Sequence, residues 1–258
     1  NTFWKKELAQ SGFKVPETEF WKDAIDRVRS NHPDFIMMAE TYGIENQMKL
    51  IECGFSYIYE KELIDHLVSN DVAGFRNLIF KNHFITDKMV HFIENHDEKR
   101  MVTRFFGNRK AAMTASAALL TLPGIRLINM QQWLGYTKQI DVNLRRAEIE
   151  KCDIEIVKFY NRLFSVLDSN ALRYGTWEPL KVNDDNDKII AWKWVKNGQH
   201  ILVTINFNNC WSQGKVICED ANTDNRTIYV REMISETYYT RDPYEMRKNG
   251  LVLSMEPY

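Results

Sequence analysis

Up to about residue 170, apolar residues recur at helical spacing and alternate with short apolar runs; beyond it, short β-rich runs are separated by Asn, Asp and Gly. Residues 19–30 predict an amphipathic helix, with Phe20, Ala24, Ile25 and Val28 on one face and Thr18 placed to cap it. Asn31-His32-Pro33 stops that helix. The run Phe35-Ile36-Met37-Met38-Ala39 is apolar on both faces, as a parallel strand covered by helices would be, and it ends in Glu40. Residues 55–59 predict a second strand and residues 62–80 a helix. Residues 90–94 predict a third strand, and an Ala-rich helix over 109–122 is closed by Pro123-Gly124. Residues 125–129 predict a fourth strand, and residues 154–167 a strongly periodic helix.

Four strands alternating with helices predict βα units and a parallel sheet. A complete (β/α)8 barrel takes ~250 residues, so the four units here amount to half of one. After them, residues 189–195 and 200–207 flank Lys196-Asn197-Gly198-Gln199, and Asn-Gly between two such runs signals a hairpin. Residues 215–218, 227–234, 237–241 and 251–255 continue the β pattern. The expected fold class is α/β: a partial (β/α)8 barrel over residues 1–172, then an all-β antiparallel sandwich over residues 173–258.

Composition narrows the function classes. The 258 residues are 44% hydrophobic and 27% charged with a net charge of −1, which disfavours a nucleic-acid-binding surface. The text holds no run of about 18 apolar residues, so no membrane-spanning helix is expected. The start, Asn1-Thr2-Phe3-Trp4-Lys5-Lys6, has neither an initiator Met nor an apolar signal core, and predicts a chain processed or cut from something longer. Cys53, Cys152, Cys210 and Cys218 form no CxxC pair, so buried free thiols are expected, and with them a reducing, cytoplasmic setting. A Cys210–Cys218 disulfide is the alternative. No metal-ligand set is visible, and no cofactor is expected.

Two strand ends carry the candidate chemistry. Glu40 terminates the first apolar run, where a barrel places catalytic side chains, although a lone Glu there is more often a solvated loop residue. Residues 94–100, Glu-Asn-His-Asp-Glu-Lys-Arg, are polar and dense for a turn; an Asn/Asp-rich loop with a surface salt bridge is their plainer reading. Together the two point to glycoside hydrolysis, which needs one carboxylic acid to protonate the leaving oxygen and a second carboxylate as nucleophile or base. Glu40 is the candidate proton donor and Asp97 an anionic partner for the oxocarbenium-like transition state.

These residues resemble the C-terminal half of glycoside hydrolase family 13, the α-amylase family. Ala39-Glu40 is similar to the family's acid/base after the fifth barrel strand, and Asn95-His96-Asp97 to its signature after the seventh. Residues 123–128 resemble the eighth strand, the β-rich tail looks like the family's C-terminal domain, and residues 251–258 resemble the approach to its last strand. The resemblance implies strands 5–8 of the barrel, a retaining enzyme acting on α-1,4-linked glucans or maltooligosaccharides, and sugar binding by His96, Asn95 and Arg100. The spacing also lets Arg100 pair with Asp97 or Glu94. Gln131 stands where the family usually has Gly, which bears on the eighth loop.

The family's nucleophile, an Asp in a Gly-Phe-Arg-x-Asp motif, has no match: Gly12-Phe13-Lys14 is followed by Val15-Pro16-Glu17. The resemblance therefore puts the nucleophile upstream of residue 1 and aligns residues 1–12 with the loop and helix after the fourth strand. It also implies that a structural Ca²⁺ is held by residues outside this chain, and that the partner is a missing N-terminal half-barrel or a second copy. The alternatives are a non-catalytic carbohydrate-binding or scaffolding relative and an α-glucan transglycosylase. His32, His66, His83, His91 and His200 are expected to be structural or exposed. Trp133, Tyr136 and Trp177 are expected in the core or as loop anchors, with sugar stacking as their alternative, and Trp192 and Trp194 share one strand face and are expected in the core; a starch platform with Trp211 is that pair's alternative.

Overall fold

In the computed structural model, residues 3–143, 146, 148–183, 188–221, 224 and 227–258 are described. The elements begin with α1 (Trp4–Gln10), α2 (Phe20–Asn31), β1 (Met38–Ala39), α3 (Ile44–Glu52), β2 (Tyr57–Glu60), α4 (Glu62–Val68) and α5 (Val72–Lys81). They continue with β3 (Met89–His91), α6 (Met101–Arg104), α7 (Arg109–Leu120), β4 (Ile125–Arg126), α8 (Ile154–Leu167) and α9 (Asn170–Tyr174). The rest is β5 (Thr176–Leu180), β6 (Val182–Asn183), β7 (Ile189–Lys196), β8 (Gln199–Asn206), β9 (Ser212–Val216), β10 (Ile228–Arg231), β11 (Tyr238–Arg241), α10 (Pro243–Lys248) and β12 (Leu251–Met255).

Residues 1–61, 85–91 and 123–126 make one compact unit. Its sheet runs β1-β2-β3-β4 with every pair parallel, so neighbours in space are neighbours in sequence, the order a (β/α)8 barrel follows. The strands are shorter than the apolar runs that announced them. Only Met38 and Ala39 of the first run pair, with Tyr57 and Ile58. Phe35, Ile36 and Met38 are exposed rather than covered on both faces, because β1 is an edge strand within this sheet. The core of the unit is Ile25, Ala39, Leu50, Phe55, Ile58, Ile85 and Met89.

The expected cap of the second helix is corrected as well. Glu19 occupies the N-cap position of α2, and its carboxylate accepts from the Trp4 N–H (2.5 Å) and the Lys5 N–H (3.2 Å), capping α1 instead. Thr18 donates to Asp23 (2.7 Å). Of residues 1–12, aligned above with a loop and helix, α1 supplies the helix; residues 1 and 2 lie outside the described residues.

Gly124 makes the turn into β4 at φ +102°, and a Cβ there would lie 2.3 Å from the Met89 carbonyl oxygen and 2.8 Å from that of Thr86. Both contacts are backbone atoms that cannot swing away. Gly124→Ala is expected to destabilise the fold by ~2 kcal/mol, read as a lower urea midpoint at unchanged m-value.

His91 closes β3 and is fully buried. Burial pulls its pKa down to about 4; the charge on Arg126 adds to this, and the backbone at Pro123 and Thr86 opposes it. The ring is thus neutral in the folded protein at pH 7, while in the unfolded chain it titrates near the ordinary value of 6.5. Its contribution to stability is complete above pH 6.5 and is lost as pH falls towards 4. Unfolding free energies from urea titrations between pH 7.5 and 4 should fall more steeply for the parent than for His91→Leu, by up to ~3 kcal/mol over that window.

Residues 62–84, 92–122 and 127–258 make the second unit. The helix expected over 62–80 is two helices. Asn70 turns left-handed (φ 57°) and the Asp71 side chain caps α5 through the Gly74 N–H. The core gathers α4, α5, α7 and α8 with one face of β7 and β8: Leu63, Phe75, Leu119, Tyr160, Leu163, Trp192 and Trp194 belong to it. The core reading of the two tryptophans therefore holds, and Trp194 Nε1 donates to the Thr121 carbonyl (2.8 Å). Trp133 and Trp177 pack partly buried against the same core, Tyr136 is buried, and Trp211 is exposed.

The C-terminal strands form antiparallel sheets β5-β7-β8 and β12-β9-β6 and a hairpin β10-β11. Asn197 (φ 48°) and Gly198 (φ 78°) make the two-residue turn between β7 and β8, as Asn-Gly predicts. Pro179 sits in β5, at the edge of its sheet, where the missing N–H costs no ladder bond. All four cysteines are free, but only Cys53 is buried; Cys152 and Cys210 are exposed, against the expectation of buried thiols. No helix among the described residues is long and apolar enough to cross a membrane.

Candidate active site

Glu40 follows Ala39, the last residue of β1, in the first unit. Its carboxylate is exposed and accepts a hydrogen bond from the Tyr42 hydroxyl (3.1 Å). The chain then turns at Gly43 into α3, whose buried Gln47 donates to the Tyr59 carbonyl (2.9 Å) and ties α3 to β2. The local sequence thus sets a carboxyl group at a strand's C-terminal end and braces the helix behind it.

Asn95, His96 and Asp97 belong to the second unit, three to five residues past Phe92, where the chain leaves β3. His96 Nε2 lies 3.3 Å from Asp97 Oδ2, with side chains 53% and 63% exposed. The pair offers donors and acceptors to a ligand with hydroxyl groups. Beneath it, Asn95 Oδ1 accepts from the backbone N–H of Asp97 (3.0 Å) and of Glu98 (2.9 Å), the self-bonding turn for which Asn is suited.

Asn95 and Arg100, expected among the sugar-binding groups, are buried. Arg100 is 1% exposed, and its Nη1 donates to Glu94 Oε1 (2.6 Å) and to the Met130 carbonyl (2.9 Å). A guanidinium so enclosed presents no face to a sugar; of the two pairings its spacing allows, the structure takes Glu94. Burial pushes the Glu94 carboxyl upwards, against the pull of Arg100, the Met101 N–H and Asn129.

Sequence reading missed four residues around this loop. Asn129 Nδ2 donates to Glu94 Oε1 (3.2 Å) and to the Asn95 carbonyl (3.3 Å). Arg104 pairs with Asp65 (2.6 Å) and Glu98 (3.3 Å). Gln139 Nε2 donates to the Asp97 carbonyl (3.1 Å). Glu150 accepts from the Thr137 and Lys138 N–H groups (3.0 and 2.9 Å), which anchors the segment carrying Gln139. Burial alone would raise Glu150, but these donors outweigh it and hold its carboxyl below the ordinary range. The polar ending of the fourth predicted strand, at Asn129, was the one available signal. Nearby, Gln131 takes the left-handed backbone (φ 65°, ψ 7°), which explains why Gly suits that position.

No protein-family model matches the chain, and no curated protein matches it. Solved structures do. The noncanonic maltogenic α-amylase AmyB from Thermotoga neapolitana superposes with a TM-score of 0.73 at 16% identity, over 92% of this chain and 56% of that one. An Anoxybacillus α-amylase superposes with a TM-score of 0.73 at 14% identity, over 98% and 59%. A Nostoc punctiforme debranching enzyme, soaked with acarbose, superposes with a TM-score of 0.70 at 17% identity, over 95% and 53%. The chain spans a little over half the length of these structures and shares the α-amylase-type barrel fold over that part.

Proposed function

We propose that this chain is part of a retaining α-amylase-family glycoside hydrolase acting on α-1,4-linked glucans, and that it supplies Glu40 as acid/base and Asp97 as an anionic stabiliser of the transition state. The observation that carries the reading is a parallel sheet in barrel order with a carboxyl group one residue beyond β1. The exposed His96–Asp97 pair, on the chain leaving β3, supports it. Strand C-terminal ends are where barrel enzymes place their reacting groups.

Glu40 protonates the glycosidic oxygen as the bond to the anomeric carbon breaks, then takes a proton from the water that releases the sugar. Asp97 and His96 hold hydroxyl groups of the sugar in the cleaved subsite, and the Asp97 charge opposes the positive charge developing on the ring. The nucleophile comes from an upstream half-barrel. That half covers the apolar side chains Phe35, Ile36 and Met38, left exposed in and just before β1. The substrate is a maltooligosaccharide or a longer α-glucan.

Maltoheptaose incubated with the longest natural polypeptide containing this chain should yield shorter maltooligosaccharides with new reducing ends. A folded protein that cleaves no α-1,4-glucan would remove the reading. Products longer than maltoheptaose would instead make a sugar the acceptor in place of water.

A further inference from the structure

We propose that Glu94 is a positioning residue, whose single carboxylate closes the loop of residues 95–99 at its base and so fixes the directions of His96 and Asp97. The inference rests on the proposed function only for the purpose of the loop; the closure itself is geometry. Glu94 is fully buried and touches no solvent from which a substrate would approach. Its Oε1 accepts from Arg100 Nη1 (2.6 Å) and Asn129 Nδ2 (3.2 Å), and its Oε2 accepts from the Met101 N–H (2.5 Å).

Glu94 stands immediately before the loop, and Arg100 and Met101 immediately after it, so one side chain ties both ends together. Asn129 extends the tie to the Asn95 carbonyl (3.3 Å), and Asn95 in turn holds the Asp97 and Glu98 amides. The far side of Asn129 is held too: its N–H donates to Gln132 Oε1 (3.1 Å), and Gln132 Nε2 donates to the buried Tyr160 hydroxyl (2.6 Å). From the buried Tyr160 to the exposed Asp97 there is thus an unbroken series of hydrogen bonds.

An ion pair so buried is a poor source of net stability, since both charges lose their water; apolar residues of similar volume often do as well or better. What they do not replace is direction: a charge-assisted bond holds its partners at one distance and angle, and displacing a reacting group by ~1 Å can cost on the order of 10²-fold in rate.

The double variant Glu94→Gln/Arg100→Met separates the two roles, because it removes both charges together and leaves none stranded. Its thermal midpoint should stay near that of the parent. Its Asp97 and Glu98 amides should exchange with deuterium about tenfold faster or more, as the closed loop opens. Its kcat on maltoheptaose should fall on the order of 10²-fold with KM changed only a few-fold. Parental exchange and parental kcat in the folded variant would overturn the proposal. Should the double variant not fold, Asn129→Ser, which leaves the ion pair intact, should still speed exchange at Asp97 and Glu98; unchanged exchange there would overturn it equally. Absence of any α-glucan cleavage by the parent would count against the enzymatic reading alone, and amide exchange would still decide the closure.

Discussion

Glu40→Gln is expected to lower kcat on maltoheptaose by on the order of 10³- to 10⁴-fold while leaving KM within a few-fold. The amide fills the carboxyl's space and keeps an oxygen for the Tyr42 hydroxyl, so the geometry after β1 survives. What is lost is the proton. A glucosidic oxygen is a poor leaving group as an alkoxide, so an unactivated substrate feels the whole loss. The aglycone of an aryl α-maltoside departs as a stabilised phenolate, so that substrate should be cleaved with a much smaller deficit in the first step. Equal loss on both substrates would point to a damaged fold, and equal activity of variant and parent would remove Glu40 from the mechanism.

Asp97→Asn is expected to lower kcat/KM by about 10³-fold, or ~4 kcal/mol of transition-state stabilisation. The substitution is clean because Asn95 holds residues 97 and 98 by their backbone N–H groups, which Asn at 97 retains. Only the charge changes. A carboxylate facing a developing oxocarbenium gains more than it does against the neutral ground state, so the loss should fall mainly on kcat. An unchanged rate would make the His96–Asp97 pair an ordinary surface contact.

The alternation of strand and helix was legible where an apolar run, a turn and helical spacing follow one another, as over 55–80 and 90–122; α3, between the first two runs, was not read. Strand lengths were poorly legible, since apolar text continues beyond the residues that pair. In the run 35–39 only Met38 and Ala39 find a partner strand. The break at Asn70-Asp71 was written in turn-forming residues but lay inside an unbroken helical pattern. Ends of the C-terminal strands were read to within a few residues, because Asn-Gly and alternating apolar positions constrain register. β5 was missed, since Thr176 to Leu180 contains a proline that argues against a strand until its edge position is known.

For the site, residue type picked out the two polar strand ends but not which of their side chains face solvent. Glu40, His96 and Asp97 are exposed, as their proposed roles require. Asn95, Glu94 and Arg100 lie in the same short segment yet point inward. Nothing local distinguishes an inward arginine from an outward one; the choice depends on a carboxylate six residues earlier and the Met130 carbonyl thirty later, both brought close by the fold.

The role of Glu40 as acid/base is tested most directly by azide rescue of Glu40→Ala in the full natural polypeptide, with an aryl α-maltoside as substrate. The phenolate leaves without a proton, the upstream nucleophile holds the sugar, and azide, needing no base, displaces it. The product expected is α-maltosyl azide, with retained configuration read from the anomeric proton coupling. A β-azide would make Glu40 the nucleophile, and undiminished hydrolysis without azide would place Glu40 outside the reaction.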